Sequence, residues 1–102
     1  MLESKSVYLK LRKLNTIRNS DEFSEFFGYS KSTIRAQWAR AEQPDIAAWM
    51  RFFFSVEKVA NDTEEAAEKS NLHERNEYQA GLKDLRELQK QVWAHVAITA
   101  TR

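Results

Sequence analysis

Two glycines and one proline are the only strong helix breakers among 102 residues, and this scarcity limits the chain to long helices with short joints. A chain of this length suits one domain around a single modest core. It has no cysteine, which excludes disulfides, thiolate catalysis and cysteine-ligated zinc, and fits a reducing, cytoplasmic setting. The first fourteen residues alternate charged and apolar side chains and lack the continuous apolar run of a signal peptide. The longest apolar run, residues 46–50, spans five positions, far short of a membrane crossing, so no membrane partner is expected.

Hydrophobic spacing divides the chain. Val7, Leu11 and Leu14 recur at helical intervals and predict a first helix over residues 6 to 18, with Lys10, Arg12, Lys13 and Arg18 on its outside. Pro44, followed by Asp45, is expected to open a later helix, since proline suits a first helical position and a negative charge suits that end. This helix should run to about residue 60 and is apolar nearly all round. Residues 61–65 read as a joint and restart, with Asp62 and Glu65 spaced as a capping box, and Ser70 and Asn71 form a candidate second break. Beyond it, Tyr78, Leu82, Leu85, Leu88, Val92 and Val96 form one stripe of a long C-terminal helix, too short to specify a coiled coil.

Between these parts, residues 19–44 carry the most informative pattern. Asn19 or Ser20 can cap a short helix, with Glu22 placed to complete a capping box. Phe23 and Phe27 share its inner face, and small Ser24 permits close approach by another helix. Gly28 follows the last apolar residue, where a left-handed backbone ends a helix most cheaply. Ser30 is then expected to cap a second helix anchored by Ile34 and Trp38, leaving Lys31, Ser32, Arg35 and Gln37 outward, with Arg40 near its end. Two short helices about a glycine turn make a helix-turn-helix, whose second helix enters the DNA major groove.

With apolar Phe23 and Phe27, small Ser24, turn Gly28, apolar Tyr29, cap Ser30, apolar Ile34 and the following Pro44, the segment resembles the helix-turn-helix of lambda-repressor/Cro-like regulators. The resemblance covers roughly residues 11–60. It implies a recognition helix from Ser30, with Ser30, Lys31, Ser32, Arg35 and Ala36 facing bases or nearby phosphates. The chain departs from the family pattern at Gln37 and Arg40, and in the acidic pair Asp21 and Glu22 at the start of the first motif helix. The expected fold is all-α, a helix-turn-helix bundle of four to six helices with a long C-terminal helix. Residues 1–60 form the DNA-binding region, and residues 61–102 a helical region for packing or dimerisation.

Charge follows the same division. Residues 1–40 hold eight Lys/Arg and four Asp/Glu, a net of +4, whereas residues 41–102 hold eight and eleven, a net of −3. A basic half beside an acidic half suits a DNA-facing module with a partner-facing tail, and is equally an ordinary solvated surface. His73 and Glu77 alone do not make a metal site, His95 reads as a packed or surface residue, and no cofactor or phosphate-loop motif is present, so no catalysis is expected.

The expected function is a sequence-specific transcriptional regulator acting on double-stranded DNA as a homodimer. Lys31, Ser32 and Arg35 would read bases, and Ser30, Gln37 and Arg40 would position the backbone. Phe52, Phe54, Leu82, Leu85, Leu88 and Val92 supply the expected dimer seam, although the stripe could instead fold back over Phe52 and Phe54 within one chain. The alternative is a non-catalytic protein-interaction module, an adaptor or an inhibitor of another regulator, on the same kind of fold.

Overall fold

A computed structural model describes residues 2–101, and these are all-helical, without a strand. The five helices are α1 (Ser4–Lys13), α2 (Ser20–Phe26), α3 (Thr33–Ala39), α4 (Ile46–Glu68) and α5 (Leu72–Ala100). The chain reverses at residues 69–71, so α4 and α5 form an antiparallel hairpin. Its pairings run from Trp49 against His95, through Phe53 against Trp93, to Glu57 against Gln89. The three short helices pack at the end of the hairpin where α4 begins and α5 finishes.

The short helices end by one device. After each, a residue in the left-handed region lets two backbone N–H groups turn back onto the final carbonyls. Asn15 (φ 58) ends α1, Gly28 (φ 74) ends α2 and Ala41 (φ 54) ends α3. The paired bonds are Asn15 N to Arg12 O with Thr16 N to Leu11 O, Gly28 N to Glu25 O with Tyr29 N to Ser24 O, and Ala41 N to Trp38 O with Glu42 N to Gln37 O. Asparagine tolerates this geometry and glycine suits it, but alanine carries a Cβ penalty there. The Asn15 stop is why α1 finishes at Lys13, earlier than the expected residue 18.

Two further expectations are corrected along α4. Pro44 is not its first residue. The N-cap is Asp45, whose side chain accepts from Ala48 N at 2.8 Å, and Pro44 lies buried one position earlier. Nor do residues 61–65 form a joint, because α4 continues unbroken to Glu68. Ala60 and Ala67 prolong its buried line, Thr63 Oγ1 bonds Val59 O within the helix, and the carboxylates between them are solvated. The break falls instead at the second candidate, where Asn71 caps α5 by accepting from Glu74 N at 2.9 Å.

One hydrophobic cluster joins all five helices, with Val7 and Leu11 from α1, Phe23 and Phe27 about α2, Ile34 from α3, Trp49, Phe52 and Val56 from α4, and Leu85, Leu88 and Val92 from α5. The ring of Phe27 lies 5.0 Å from that of Phe23, 5.1 Å from Trp49 and 4.7 Å from Phe52. Burying each such side chain contributes about 1.5–3 kcal/mol. The packing corrects the expected dimer seam. Phe52, Leu85, Leu88 and Val92 are buried and Leu82 is half-buried inside the single chain, because α5 folds back over α4 and covers the stripe. Of the expected seam residues, Phe54 alone stays exposed, at 61 %.

Candidate nucleic-acid interface

The joint between α2 and α3 is held from three sides. The Ser24 hydroxyl, wholly buried on α2, accepts from Ile34 N at 3.0 Å and so partners a backbone donor that α3 cannot satisfy itself. From α4, Ser55 Oγ donates to Phe26 O at 2.8 Å and Arg51 Nε to Phe27 O at 2.6 Å. These bonds satisfy the carbonyls at the end of α2 that the turn at Gly28 leaves open. The Arg51 guanidinium also lies over the Tyr29 ring, 5.9 Å from its centre. On its other flank α3 is braced against α1, where Trp38 Nε1 donates to Ser4 Oγ at 2.9 Å and the Trp38 ring meets Tyr8 edge-on at 5.2 Å.

Six residues separate the last of α2 from the first of α3, and this corrects the expected start of the second helix. Ser30 does not cap a regular helix. Its carbonyl accepts from Thr33 N at 3.1 Å in a tighter first turn, its hydroxyl meets Thr33 Oγ1 at 2.6 Å, and α-helical geometry begins at Thr33. Lys31 and Ser32 occupy that turn and are exposed. Arg35 is exposed one step further on, so Ser30, Lys31, Ser32 and Arg35 share the solvent side of this end of α3. Gln37 is different. It is half-buried, its Nε2 donates to Tyr29 Oη at 3.2 Å, and its Oε1 is buried without a partner. Gln37 therefore belongs to the packing between α3 and the turn, and its position as an outward phosphate contact is corrected.

Carboxylates engage the cations around this face. Arg35 Nη2 lies 3.2 Å from Asp21 Oδ1, Arg40 Nε 2.9 Å from Glu42 Oε1, and Arg18 Nε 3.0 Å from Glu22 Oε2. Asn19 caps α2 through Glu22 N at 3.0 Å, but Glu22 reaches past Asn19 to Arg18 N at 3.0 Å instead of closing a reciprocal capping box. That backbone bond, followed by the Arg18 side chain, holds the Glu22 carboxyl below the usual carboxylate range. Pairs as exposed as these add little to stability. The pairing of Asp21 with Arg35, fourteen positions apart, depends on how α2 crosses α3 and so cannot be read from the sequence.

Among the basic residues of α1, Lys5 lies over the Trp38 ring of α3 at 5.7 Å from its centre, whereas Lys10 and Lys13 face α5. Lys10 Nζ donates to Gln91 Oε1 of α5 at 3.1 Å, and Lys13 shares a cleft of about 380 Å³ with Asp84 and Glu87. The far end of the hairpin is acidic, with six carboxylates against Lys69 and Arg75 over residues 61–78, a net of −4. His73 Nε2 and Glu77 Oε1 approach to 3.4 Å there, and among the described residues no three candidate ligands converge on a metal position. On the α4–α5 face, Phe54, an expected seam residue, and Trp93 (55 % exposed), which periodicity did not single out, flank Phe53.

No protein-family model matches the chain, and neither a curated protein nor a solved structure matches it. Among the described residues no helix is long and apolar enough to cross a membrane.

Proposed function

We propose that the protein is a sequence-specific DNA-binding regulator that lays the turn at residues 30–32 and the start of α3 in the major groove. The observation that carries this reading is the locked pair of short helices. With Ser24 bonded to Ile34 N and Arg51 bonded to Phe27 O, the exposed side chains of Lys31, Ser32 and Arg35 project from a rigid support. Rigid support is what base reading requires, because bidentate contacts fail when the reading side chains are loosely held. Arg35 suits guanine O6 and N7, Lys31 suits guanine or phosphate, Ser32 suits a base edge, and Ser30 and Arg40 suit the backbone. The reading includes a homodimer whose seam uses Phe54 and Trp93 in place of the buried stripe. Light scattering that returns the mass of one chain at micromolar concentration removes the dimer.

The test is selection of duplexes from a randomised pool, followed by anisotropy titrations over a range of salt. Affinity should fall steeply with salt, and Arg35→Ala should cost about 1–3 kcal/mol on the selected site while relaxing the preference for one base pair. Absence of salt-dependent duplex binding would favour the second reading, a non-catalytic protein-interaction module. The exposed Phe54 and Trp93, together with the carboxylates paired to the motif's arginines, are the observations on its side.

A further inference from the structure

The contact between Asp21 and Arg35 is unusual in its two ends. The side chains are 41 % and 58 % exposed, yet the Asp21 Oδ1 atom itself is buried and receives no hydrogen bond. The Arg35 guanidinium lies 3.2 Å from it, in an ionic rather than a linear hydrogen-bonding approach. While Arg35 stays in place, its guanidinium offsets the desolvation of this carboxylate oxygen. The approach of Asp21 is to Nη2. A guanidinium carries five N–H donors in a rigid fork, so Nε and Nη1 stay available to a second acceptor while Nη2 stays on the carboxylate.

From this geometry, and resting on the DNA-binding reading above, we propose that Asp21 is a positioning residue that fixes the Arg35 fork for base reading and thereby sets specificity. The same carboxylate stands on the face offered to the phosphates, where its charge weakens binding to every sequence alike. Asp21 thus trades overall affinity for discrimination. A solubilising surface acid would lower affinity too, but it would leave the ratio between sequences unchanged, and this difference separates the two roles.

The experiment compares full-length wild type, Asp21→Asn, Asp21→Glu, Arg35→Ala and the double variant Asp21→Asn/Arg35→Ala on two duplexes. One is the duplex that wild type selects from a random pool, and the other is its scrambled counterpart. Asp21→Asn should tighten binding to the scrambled duplex about two- to fivefold, from removal of one screened charge. It should also lower the selected-to-scrambled ratio about fivefold or more, as loss of a good base contact does. Asp21→Glu, which keeps the charge, should hold the scrambled affinity at the wild-type level. In the Arg35→Ala background Asp21→Asn should leave the ratio where Arg35→Ala put it. An unchanged ratio in Asp21→Asn, with Arg35→Ala lowering it, overturns the positioning role and leaves the DNA reading standing. No salt-dependent binding of wild type to any duplex overturns the DNA reading, and this proposal with it.

Discussion

Gly28→Ala isolates the geometry on which the α2–α3 joint depends. Gly28 has φ +74, a region where a Cβ costs about 1 kcal/mol or more. A Cβ built there would lie 2.7 Å from Arg51 Nε and 2.9 Å from Arg51 Cδ, inside any real contact distance. The arginine end is flexible, so the clash itself is relieved cheaply, but relief requires Arg51 to release Phe27 O. That bond, partly open to solvent, is worth about 1 kcal/mol. The two effects give about 2 kcal/mol, or a fall in melting temperature of roughly 10 °C for a domain of this size. Urea melts followed by circular dichroism measure it directly. In an Arg51→Met background only the backbone part should persist, so Gly28→Ala should then cost about 1 kcal/mol. Gly81 supplies the opposite sign. It lies inside α5 with nothing within 4 Å of its Cβ position, so Gly81→Ala should stabilise by about 0.5–1 kcal/mol. A Gly28→Ala melt at or above the wild-type midpoint would refute the reasoning about the turn, and with it the motif geometry.

Three further outcomes follow from individual residues. Ala41→Gly should stabilise by about 1 kcal/mol in the same melts, because Ala41 occupies φ 54 at the end of α3 without the freedom of glycine. Ser24→Ala should cost about 1–2 kcal/mol, since it leaves Ile34 N without its 3.0 Å acceptor in a buried joint, whereas Ser20→Ala nearby should be close to neutral. Glu57 is held below the usual carboxylate range by the hydrogen bond from Gln89 and then by the Arg86 charge, so its contribution is complete above the unfolded carboxylate pKa and is lost as pH falls through the lower folded value. Glu57→Gln should therefore flatten the loss of stability in acid, measured as melting temperature between about pH 5 and pH 2.

Much of the architecture was legible from local pattern, for physical reasons that belong to short stretches of chain. The shortage of glycine and proline, the helical spacing of Val7 with Leu11 and of Leu85 with Leu88 and Val92, and the positive φ at Gly28 are all properties of neighbours in sequence. The α4 joint was misplaced for the same reason. A cluster of Asp, Thr and Glu has the composition of a cap wherever it occurs, but the burial of Ala60 and Ala67 on either side of it carries the helix through. Asn15 stops α1 early by a left-handed residue that asparagine tolerates but does not require, so its identity alone did not mark the stop.

The sequence by itself determined that the chain is helical, where the glycine turn falls, and the division into a basic and an acidic half. Only the tertiary structure decided what each apolar stripe and each charge meets. Leu85, Leu88 and Val92 could have faced a second copy or their own chain, since periodicity marks a face to be buried and is silent on what buries it. The reversal at residues 69–71 laid them over α4 and left Phe54 and Trp93 outside. The partners of Arg35, Arg51 and Ser24 likewise come from other helices, at Asp21, Phe27 O and Ile34 N, and no spacing rule within one helix predicts contacts made across helix crossings.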